Sequence, residues 1–185
     1  MSIIPDVSTP EDDLTGNWLC GGSIDAATLR NTAGAFPSGV TIITASAGST
    51  PVGLTISSFA SVSLDPPLLL VCVARTAGSL PAFRAGGPMA VNILANDQAW
   101  LAKRFASRHD DRFASVDYTL GPHGVPLLDG VSAWMDCHIA RIYDGGDHVI
   151  LLTRVHSVHR SDSMPLLYHS GAMYDWEQAA TENTT

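Results

Sequence analysis

Short apolar segments that alternate with polar positions, rather than long helical repeats, make up most of the chain. Runs of β-branched and other apolar residues, bounded by Gly, Pro, Asn and Asp, are typical of strands. A hairpin signal, Asp144-Gly145-Gly146-Asp147, joins the two longest runs. The pattern predicts antiparallel β structure, with strands over residues 40–45, 53–64, 68–74, 89–94, 131–143, 148–158 and 166–174.

Helical spacing is limited to a few short segments. Asp25 is suited to cap the first of them. In the last, apolar residues recur at helical spacing, and Asn96 or Asp97 can cap its first turn. The polar stretch that follows, 107–124, is predicted to be a loop. The predicted helices cover residues 26–35, 79–85 and 96–106.

Length and composition place these elements in one domain. A chain of 185 residues has the size of a single domain, and such a chain buries about 70% of the surface that its unfolded form exposes. Its 16 glycines and 11 prolines suit a turn-rich β fold better than a helical bundle. We predict a mainly β protein with short helices, closed into an antiparallel barrel. The domain is expected to span residues 23–176, between a flexible acidic N-terminal arm, 1–22, and a disordered tail, 177–185.

The net charge of −8 comes from the two ends of the chain. Residues 1–25 contribute −5 and residues 155–185 contribute −3, whereas nine acidic and nine basic residues between them cancel. Residues 26–154 therefore offer no basic face that could neutralise phosphates, which excludes a nucleic acid partner. The longest apolar run, Leu68–Ala74, is too short to cross a bilayer, and the acidic start of the chain lacks the features of a secretory signal. We therefore expect no nucleic acid and no membrane partner.

The cysteines and histidines suggest neither a disulfide framework nor a metal site. Cys20, Cys72 and Cys137 are an odd number without a Cys-x-x-Cys pair. The last two lie in apolar runs and are typical of buried thiols, which favours a reducing, cytoplasmic location. The seven histidines show no metal-ligand spacing, so no metal is expected. No serine lies in a Gly-x-Ser-x-Gly elbow, so no catalytic nucleophile is expected either.

Hydroxyl side chains recur along residues 55–63. Successive strand residues face opposite sides, so Leu54 and Ile56 would face the core. The opposite side would present the hydroxyls, and the backbone after them is held extended by Pro66 and Pro67. This row is either a solvated strand face or a polar shelf that hydrogen-bonds a flat, heteroatom-rich ligand. The hydroxyls are those of Thr55, Ser57, Ser61 and Ser63.

Residues 53–73, GLTISSFASVSLDPPLLLVCV, resemble the signature of the flavin reductase-like family. The resemblance continues in the same order on both sides and covers residues 28–175, nearly the whole predicted domain. These proteins are the small reductase components of two-component flavin monooxygenases. The further matching segments are FPSGVTIITA, AVNILANDQAWLAKRFAS, DRF, LDG, GDHVILLTRVHSV and PLLYHSGAMY.

The resemblance implies an FMN-binding split β-barrel, an antiparallel Greek-key-like barrel that usually forms a homodimer. It implies an NAD(P)H:flavin oxidoreductase that transfers a hydride from NADH or NADPH to FMN or FAD. The reduced flavin would then pass to a separate, larger oxygenase component. No Gly-x-Gly-x-x-Gly follows a strand and opens a helix, so a Rossmann nucleotide domain is not expected.

The resemblance also implies a set of flavin contacts. Hydroxyl and backbone groups would meet the ring and ribityl chain, and donors at the reduced ring would tune its potential. Arginines near a predicted helix would meet the phosphate, since their planar fork suits it. The implied cofactor-binding residues are Thr55, Ile56, Ser57, Ser58, Ser61, Val62, Ser63, Arg75, Ser79, Asn92, Phe105 and Arg112.

The segment Gly146-Asp147-His148 matches the family's GDH motif, which is associated with the nicotinamide nucleotide. Hydride transfer moves no proton to the protein, so no residue is expected to act as a catalytic acid or base. His148 would instead position the nicotinamide within about 3–3.5 Å of the flavin.

Two other functions fit the same barrel. One is a non-catalytic flavin- or haem-binding module, although such a module has no use for a GDH segment. The other is an oxidase that retains its flavin and acts on a small substrate, as in the pyridoxamine-phosphate oxidase-like branch. The motifs quoted above fit the reductases better.

Overall fold

A single antiparallel sheet dominates the architecture. The computed structural model describes residues 24–108 and 111–175. Every strand ladder within them is antiparallel. The helices are α1 (Ala26–Gly34) and α2 (Ala99–Ala106), with a single 3-10 turn at Leu80–Ala82. The strands are β1 (Ser38–Gly39), β2 (Thr41–Ala47), β3 (Thr50–Ile56), β4 (Ala60–Leu64), β5 (Pro67–Ala74), β6 (Pro88–Ile93), β7 (Tyr118–Leu120), β8 (Pro126–Leu128), β9 (Ala133–Gly145), β10 (His148–Arg160), β11 (Leu167–His169) and β12 (Ala172–Tyr174).

The main sheet has seven strands in the order β3-β2-β6-β9-β10-β5-β4. Its two edge strands, β3 and β4, are separated in the chain by residues 57–59 alone, and no ladder among the described residues joins them. Side chains from six of the seven strands nevertheless meet in one core. The sheet therefore curls around that core and remains split between β3 and β4, as expected of a split barrel.

Period-two burial in the strands builds this core. In β5, Leu69, Val71 and Val73 are buried while their neighbours are half-buried. Met89 and Leu151 meet them from β6 and β10 and are fully buried. Each fully buried aliphatic side chain stabilises the fold by about 1.5–3 kcal/mol relative to an exposed one. The alternation that predicted this strand is thus confirmed.

Helix α2 belongs to a second apolar cluster on the other side of the sheet. It buries Leu101, Ala102 and Phe105. The helix begins later than predicted, and neither Asn96 nor Asp97 caps it. The N-cap is Gln98, whose side chain instead accepts from Ala95 N and donates to Asp129 O. The preceding residues are held by a bridge between Ala95 and Pro165, so they cannot join the first turn.

Helix α1 follows its prediction closely. Asp25 is the N-cap, and its carboxylate accepts from the backbone N–H groups of Ala27 and Thr28 at 2.9 Å. These bonds lower the pKa of the Asp25 carboxyl. The helix buries none of its residues in this chain. The exposure of α1 is unusual, because an isolated helix of fewer than about 12 residues is marginal in water.

Several boundaries differ from the sequence predictions. The predicted loop 107–124 contains β7, and the predicted last strand is two strands, β11 and β12, broken at residues 170–171. The predicted helix at 79–85 is one 3-10 turn. The predicted arm, 1–22, and tail, 177–185, lie outside the described residues. Neither described helix is long and apolar enough to cross a membrane.

Candidate functional site

A cleft of about 950 Å³ opens between three segments that the fold brings together. They are strand β3, the segment after β5 and the stretch that runs from the end of α2 to β7. The volume falls in the range of about 300–1,000 Å³ that is typical of small-molecule sites. The lining residues are Thr50, Pro51, Val52, Gly53, Thr76, Gly78, Ser79, Arg108, Asp111, Arg112, Phe113, Ala114 and Tyr118.

Two of the predicted flavin residues, Ser79 and Arg112, share this cleft. The Ser79 Oγ is buried and has no hydrogen-bond partner among the described residues. Arg112 donates from Nη1 to Gly53 O at 2.8 Å and from Nε to Ser107 O at 3.0 Å. These bonds use two of the five guanidinium donors. A hydroxyl without a partner and an anchored guanidinium that line one cleft fit an anionic ligand group such as a phosphate.

Phe105 supports this cleft from behind. It is 1% exposed and packs its edge against Phe113, whose ring lies 4.9 Å away. A Cβ at Gly53 would lie 2.8 Å from Phe105 Cε1. Gly53 therefore has to be glycine, because β3 passes directly over the ring. Phe105 is not among the residues that line the cleft, and a flavin contact from it remains a prediction from the family resemblance.

The Gly146-Asp147-His148 segment forms the exposed turn between β9 and β10. Gly146 adopts a φ of +74°, which glycine permits at little cost. His148 opens β10 and pairs with Gly145 on one side and with Ala74 of β5 on the other. The turn therefore lies at the end of β5, immediately before the segment that lines the cleft.

Arg75 connects the turn to that segment. Its backbone N–H donates to Asp147 O at 2.9 Å, and its Nε donates to Gly146 O at 2.8 Å. Its Nη2 forms an ion pair with Asp144. The pKa of the Asp144 carboxyl is lowered, first by this hydrogen bond. Arg75, predicted as a phosphate ligand, thus uses its guanidinium on the turn.

The imidazole of His148 is held by its neighbour. His148 Nδ1 lies 2.7 Å from Asp147 Oδ1. The pKa of the Asp147 carboxyl is lowered, first by this hydrogen bond, so the carboxylate is ionised near neutral pH and acts as the acceptor. Nδ1 then carries the proton, which leaves Nε2 for another group.

The predicted hydroxyl row is not gathered along one ligand cleft. Thr55 Oγ1 donates to Ala102 O at 2.7 Å, and Ser58 Oγ donates to Cys72 O and accepts from Cys72 N, both at 3.0 Å. Ser57 lines a separate cleft of about 650 Å³ beside α1. The row is divided because residues 57–59 leave β3 and cross the split to β4.

Strand β4 departs from the expected alternation as well. A bulge lies between Ser61 and Ser63, so Val62 has no partner in β5. Ser61 is exposed and Ser63 half-buried. Val62 is 48% exposed and Leu64 94% exposed. Both side chains are open to solvent because β4 is an edge strand, paired with β5 alone.

Asn92 and Ile56 lie inside the protein. Ile56 belongs to the core. Asn92 is fully buried; its Nδ2 donates to Ile42 O at 3.0 Å and to Thr44 Oγ1 at 3.2 Å, and its Oδ1 accepts from Leu128 N at 2.9 Å. The side chain therefore joins β2, β6 and β8. Asn92 has no exposed surface and Ile56 is 9% exposed, and flavin contacts from these two residues remain predictions from the family resemblance.

A group of histidines outside the cleft was not anticipated. The rings of His123, His138 and His156 lie 4.4–5.2 Å apart. His123 Nδ1 pairs with the fully buried Asp136 at 2.8 Å. Burial and the two neighbouring imidazoles lower the pKa of His138. No group of three or more His, Cys, Asp or Glu within residues 24–108 and 111–175 is arranged to hold a metal ion. The register of β9 and β10 and the β7–β8 turn bring these residues together from distant parts of the chain, so no sequence signal could have found them.

Comparison with known proteins identifies the family of this chain. Residues 33–177 match the flavin reductase like domain family. The chain is 41% identical to the reductase subunit of a flavin-dependent monooxygenase from Rhodococcus jostii, over 86% of this chain and 83% of that protein. It is 41% identical to the reductase component of a flavin-dependent trigonelline monooxygenase from Acinetobacter baylyi, over 83% of this chain. The chain spans about half the length of that relative and of a 42% identical relative from Rhizobium meliloti.

A solved structure shows the same fold. The NADH:FAD oxidoreductase of Streptomyces globisporus, in complex with NAD and FAD fragments, is 40% identical, with a TM-score of 0.78. The match covers 82% of this chain and 93% of that one. At this identity and coverage, the shared fold reflects common ancestry and not architecture alone. The chain therefore belongs to the flavin reductase like domain family.

Proposed function

We propose that the protein is an NAD(P)H:flavin oxidoreductase, which transfers a hydride from NADH or NADPH to FMN or FAD. The observation that supports this most is the junction at residues 75–79. One end of this segment holds the Gly146-Asp147-His148 turn, and the other lines the 950 Å³ cleft. A nucleotide site and a flavin site that share one segment suit a reaction between two bound substrates.

The residues present fit a flavin nucleotide in the cleft. The buried Ser79 hydroxyl lacks a partner among the described residues, and the Arg112 guanidinium, which lines the same cleft, has donors left after its two bonds. We propose that these groups hold the phosphate end. A bound flavin supplies the redox chemistry as the hydride acceptor, while the protein orients it. Flavin contacts from Thr55, Ser57, Ser58, Ser61, Val62 and Ser63 remain predictions from the family resemblance.

The turn between β9 and β10 is the proposed nicotinamide site. The Asp147 carboxylate fixes the protonated nitrogen of His148 as Nδ1, so Nε2 is available to a nucleotide. Gly146 has no side chain to obstruct a close approach. No residue of the turn needs to act as an acid or base, because the orientation of the two substrates accounts for the rate of hydride transfer.

We further propose that the reduced flavin passes to a separate, larger oxygenase. Support comes from the relatives described above, which are named as reductase parts of flavin-dependent monooxygenases. Both described cysteines, Cys72 and Cys137, are free thiols. Free thiols suit a reducing compartment, and we propose a cytoplasmic location.

We also propose a homodimer, in which a second copy covers helix α1. The helix buries no residue in its own chain, and apolar side chains on and beside it are open to solvent: Leu29 is 59% and Phe36 79% exposed. A large exposed apolar patch is typical of a protein interface. Analytical ultracentrifugation should find a dimer that Phe36→Asp dissociates; a wild-type monomer at micromolar concentration would contradict the proposal.

The central test mixes the purified protein with NADH and FMN under air. The NADH absorbance should fall at a rate that saturates with added FMN. If FMN, FAD and riboflavin all fail with both NADH and NADPH, the function is wrong, and a non-catalytic module or a substrate-specific oxidase becomes the better hypothesis.

A second test addresses the turn. We expect His148→Ala to raise the KM for NADH more than the Kd for FMN, because it removes a group on the nucleotide side alone. His169→Ala, an exposed histidine on β11, is the matched control and should leave both constants unchanged. An unchanged KM in His148→Ala would show that the turn does not bind the nucleotide.

A further inference from the structure

The β9–β10 turn, residues 144–148, is held by strand pairing and by Arg75. Its strand residues pair as Gly145 with His148 and as His148 with Ala74 of β5. Asp144, Gly145, Gly146 and Asp147 are all exposed. The turn lies at the outer end of a long hairpin, beyond the core. A hairpin end of this kind frays readily unless other groups hold it.

Arg75 meets this turn with three groups at once. The backbone N–H binds Asp147 O, Nε binds Gly146 O, and Nη2 binds the Asp144 carboxylate. Nε and Nη2 form one edge of the planar guanidinium, which spans a carbonyl and a carboxylate together. A lysine ammonium is a single point of charge on a flexible stem and cannot reproduce both contacts.

These contacts do little for the stability of the fold. The side chains of Arg75 and Asp144 are 48% and 81% exposed, and ion pairs at the surface contribute little because water and salt screen them. The backbone bond from Arg75 to Asp147 survives any substitution of the side chain. The side chain therefore restricts where the turn lies more than it stabilises the protein.

The position of Arg75 in the chain links the turn to the cleft. The next residue, Thr76, lines the cleft, as do Gly78 and Ser79. The turn and the cleft wall are thus joined by one arginine and its neighbours in sequence. A displaced turn would carry His148 away from any ligand that spans the two sites.

We propose that Arg75 is a positioning residue that holds the 144–148 turn at the flavin cleft, so that the nicotinamide nucleotide meets a preformed site. This rests on the proposed function, since it assigns the nucleotide to that turn. Arg75 acts through the turn and through His148, and it contacts no reacting atom.

The test compares Arg75→Ala, Arg75→Lys and Asp144→Asn with the wild type. Arg75→Ala should raise the KM for NADH about fivefold to tenfold, while kcat and the KM for FMN stay within about twofold. Arg75→Lys should recover only part of the loss. Asp144→Asn should raise the KM less, because the bond from Arg75 to Gly146 remains. The matched control is Arg160→Ala, an exposed arginine at the other end of the same hairpin.

A second measurement does not depend on activity. Hydrogen exchange of the ligand-free protein should show faster exchange at residues 144–148 in Arg75→Ala and no change there in Arg160→Ala. A double variant, Arg75→Ala with Asp144→Asn, should be no worse than Arg75→Ala alone, because the amide oxygen still accepts from Gly146 N and only the pair with Arg75 is lost.

The two ways of failing are distinct. A wild-type protein that does not oxidise NADH with any flavin overturns the proposed function. An active wild type whose Arg75→Ala variant keeps its KM for NADH overturns the role of Arg75 alone. Unchanged exchange at the turn in Arg75→Ala also overturns it, as does a fall in kcat and thermal stability with no change in KM.

Discussion

Two polar networks in this protein differ in burial. The buried network stabilises the fold, whereas the exposed one is available to a ligand. The first lies inside the structure, where Asn92 and Asp136 are fully buried on neighbouring strands. The second lies at the β9–β10 turn, where Arg75, Asp144 and Asp147 are exposed. Both consist of hydrogen bonds between side chains and backbone groups with similar lengths.

In the buried network each polar atom has a fixed partner, because an unpaired buried group costs about 1–3 kcal/mol. Asn92 binds three strands together, and Asp136 holds the backbone and ring of His123. In the exposed network water can replace any partner, so the same bonds contribute little to stability. Exposed groups are free to meet a ligand, whereas buried ones hold the strands in register.

The largest effect is expected for Asn92→Ala. The substitution leaves the buried Leu128 N–H and Ile42 C=O without their partner, and it also opens a cavity. We expect a loss of about 3–5 kcal/mol in the free energy of unfolding, measured by urea denaturation. Asn96→Ala, on the surface, is the control. If the variant is as stable as the wild type but no longer binds FMN, the structural role is contradicted and Asn92 is a flavin ligand.

A smaller loss is expected for Gly121→Ala. A Cβ there would lie 2.7 Å from Asp136 Oδ2 and 3.0 Å from Leu127 Cδ1, so the β7–β8 hairpin would have to move away from the buried carboxylate. The expected cost is about 1–3 kcal/mol. At Gly39 an added Cβ meets nothing within 4 Å, so Gly39→Ala should be close to neutral. Equal stability of both variants would contradict the close packing at Asp136.

The histidines beside Asp136 should make stability depend on pH. Burial, and then the charges of His123 and His156, lower the pKa of His138 in the folded state. The unfolded chain takes up this proton near pH 6.5 and the folded one does so at lower pH, so stability falls as the pH drops through that window. The slope is at most about 1.4 kcal/mol per pH unit for one proton. His138→Gln should remove this component; an identical pH profile in the variant would contradict it.

The smallest change in stability is expected for Asp147→Asn. The carboxylate is 93% exposed, so the free energy of unfolding should change by less than about 0.5 kcal/mol. The KM for NADH should nevertheless rise by about twofold to fivefold, because the amide no longer fixes the proton of His148. Asp162→Asn, also exposed, is the control. A loss of stability without an effect on the KM for NADH would show that Asp147 stabilises the fold and does not act on nucleotide binding.

Much of this arrangement could be predicted from the chain alone. Period-two burial in β5, the cap at Asp25 and the turn at Gly146-Asp147 are local, since each depends on residues that are close in sequence. The family resemblance pointed to Ser79 and Arg112, which share the cleft, and to the Gly146–His148 turn. The cap, the burial pattern and the turn are confirmed because short segments carry their own geometry, whereas the ligand roles of these residues stay predictions.

The features that the sequence did not show have a common cause. Asn92 has the same sequence setting as a ligand on a strand, and its burial follows from the β7–β8 hairpin, which lies more than 25 residues away. Arg75 was assigned to a phosphate because nothing in its neighbourhood shows that β5 ends beside the β9–β10 turn. The bulge at Val62 likewise depends on pairing with β5.

The sequence by itself determined the strands, their turns and the family, because backbone preference and side-chain alternation act over a few residues. Only the tertiary structure decided which polar side chains are buried between strands and which remain at the surface. Strand register, which sets those neighbours, depends on contacts between residues that are distant in the chain.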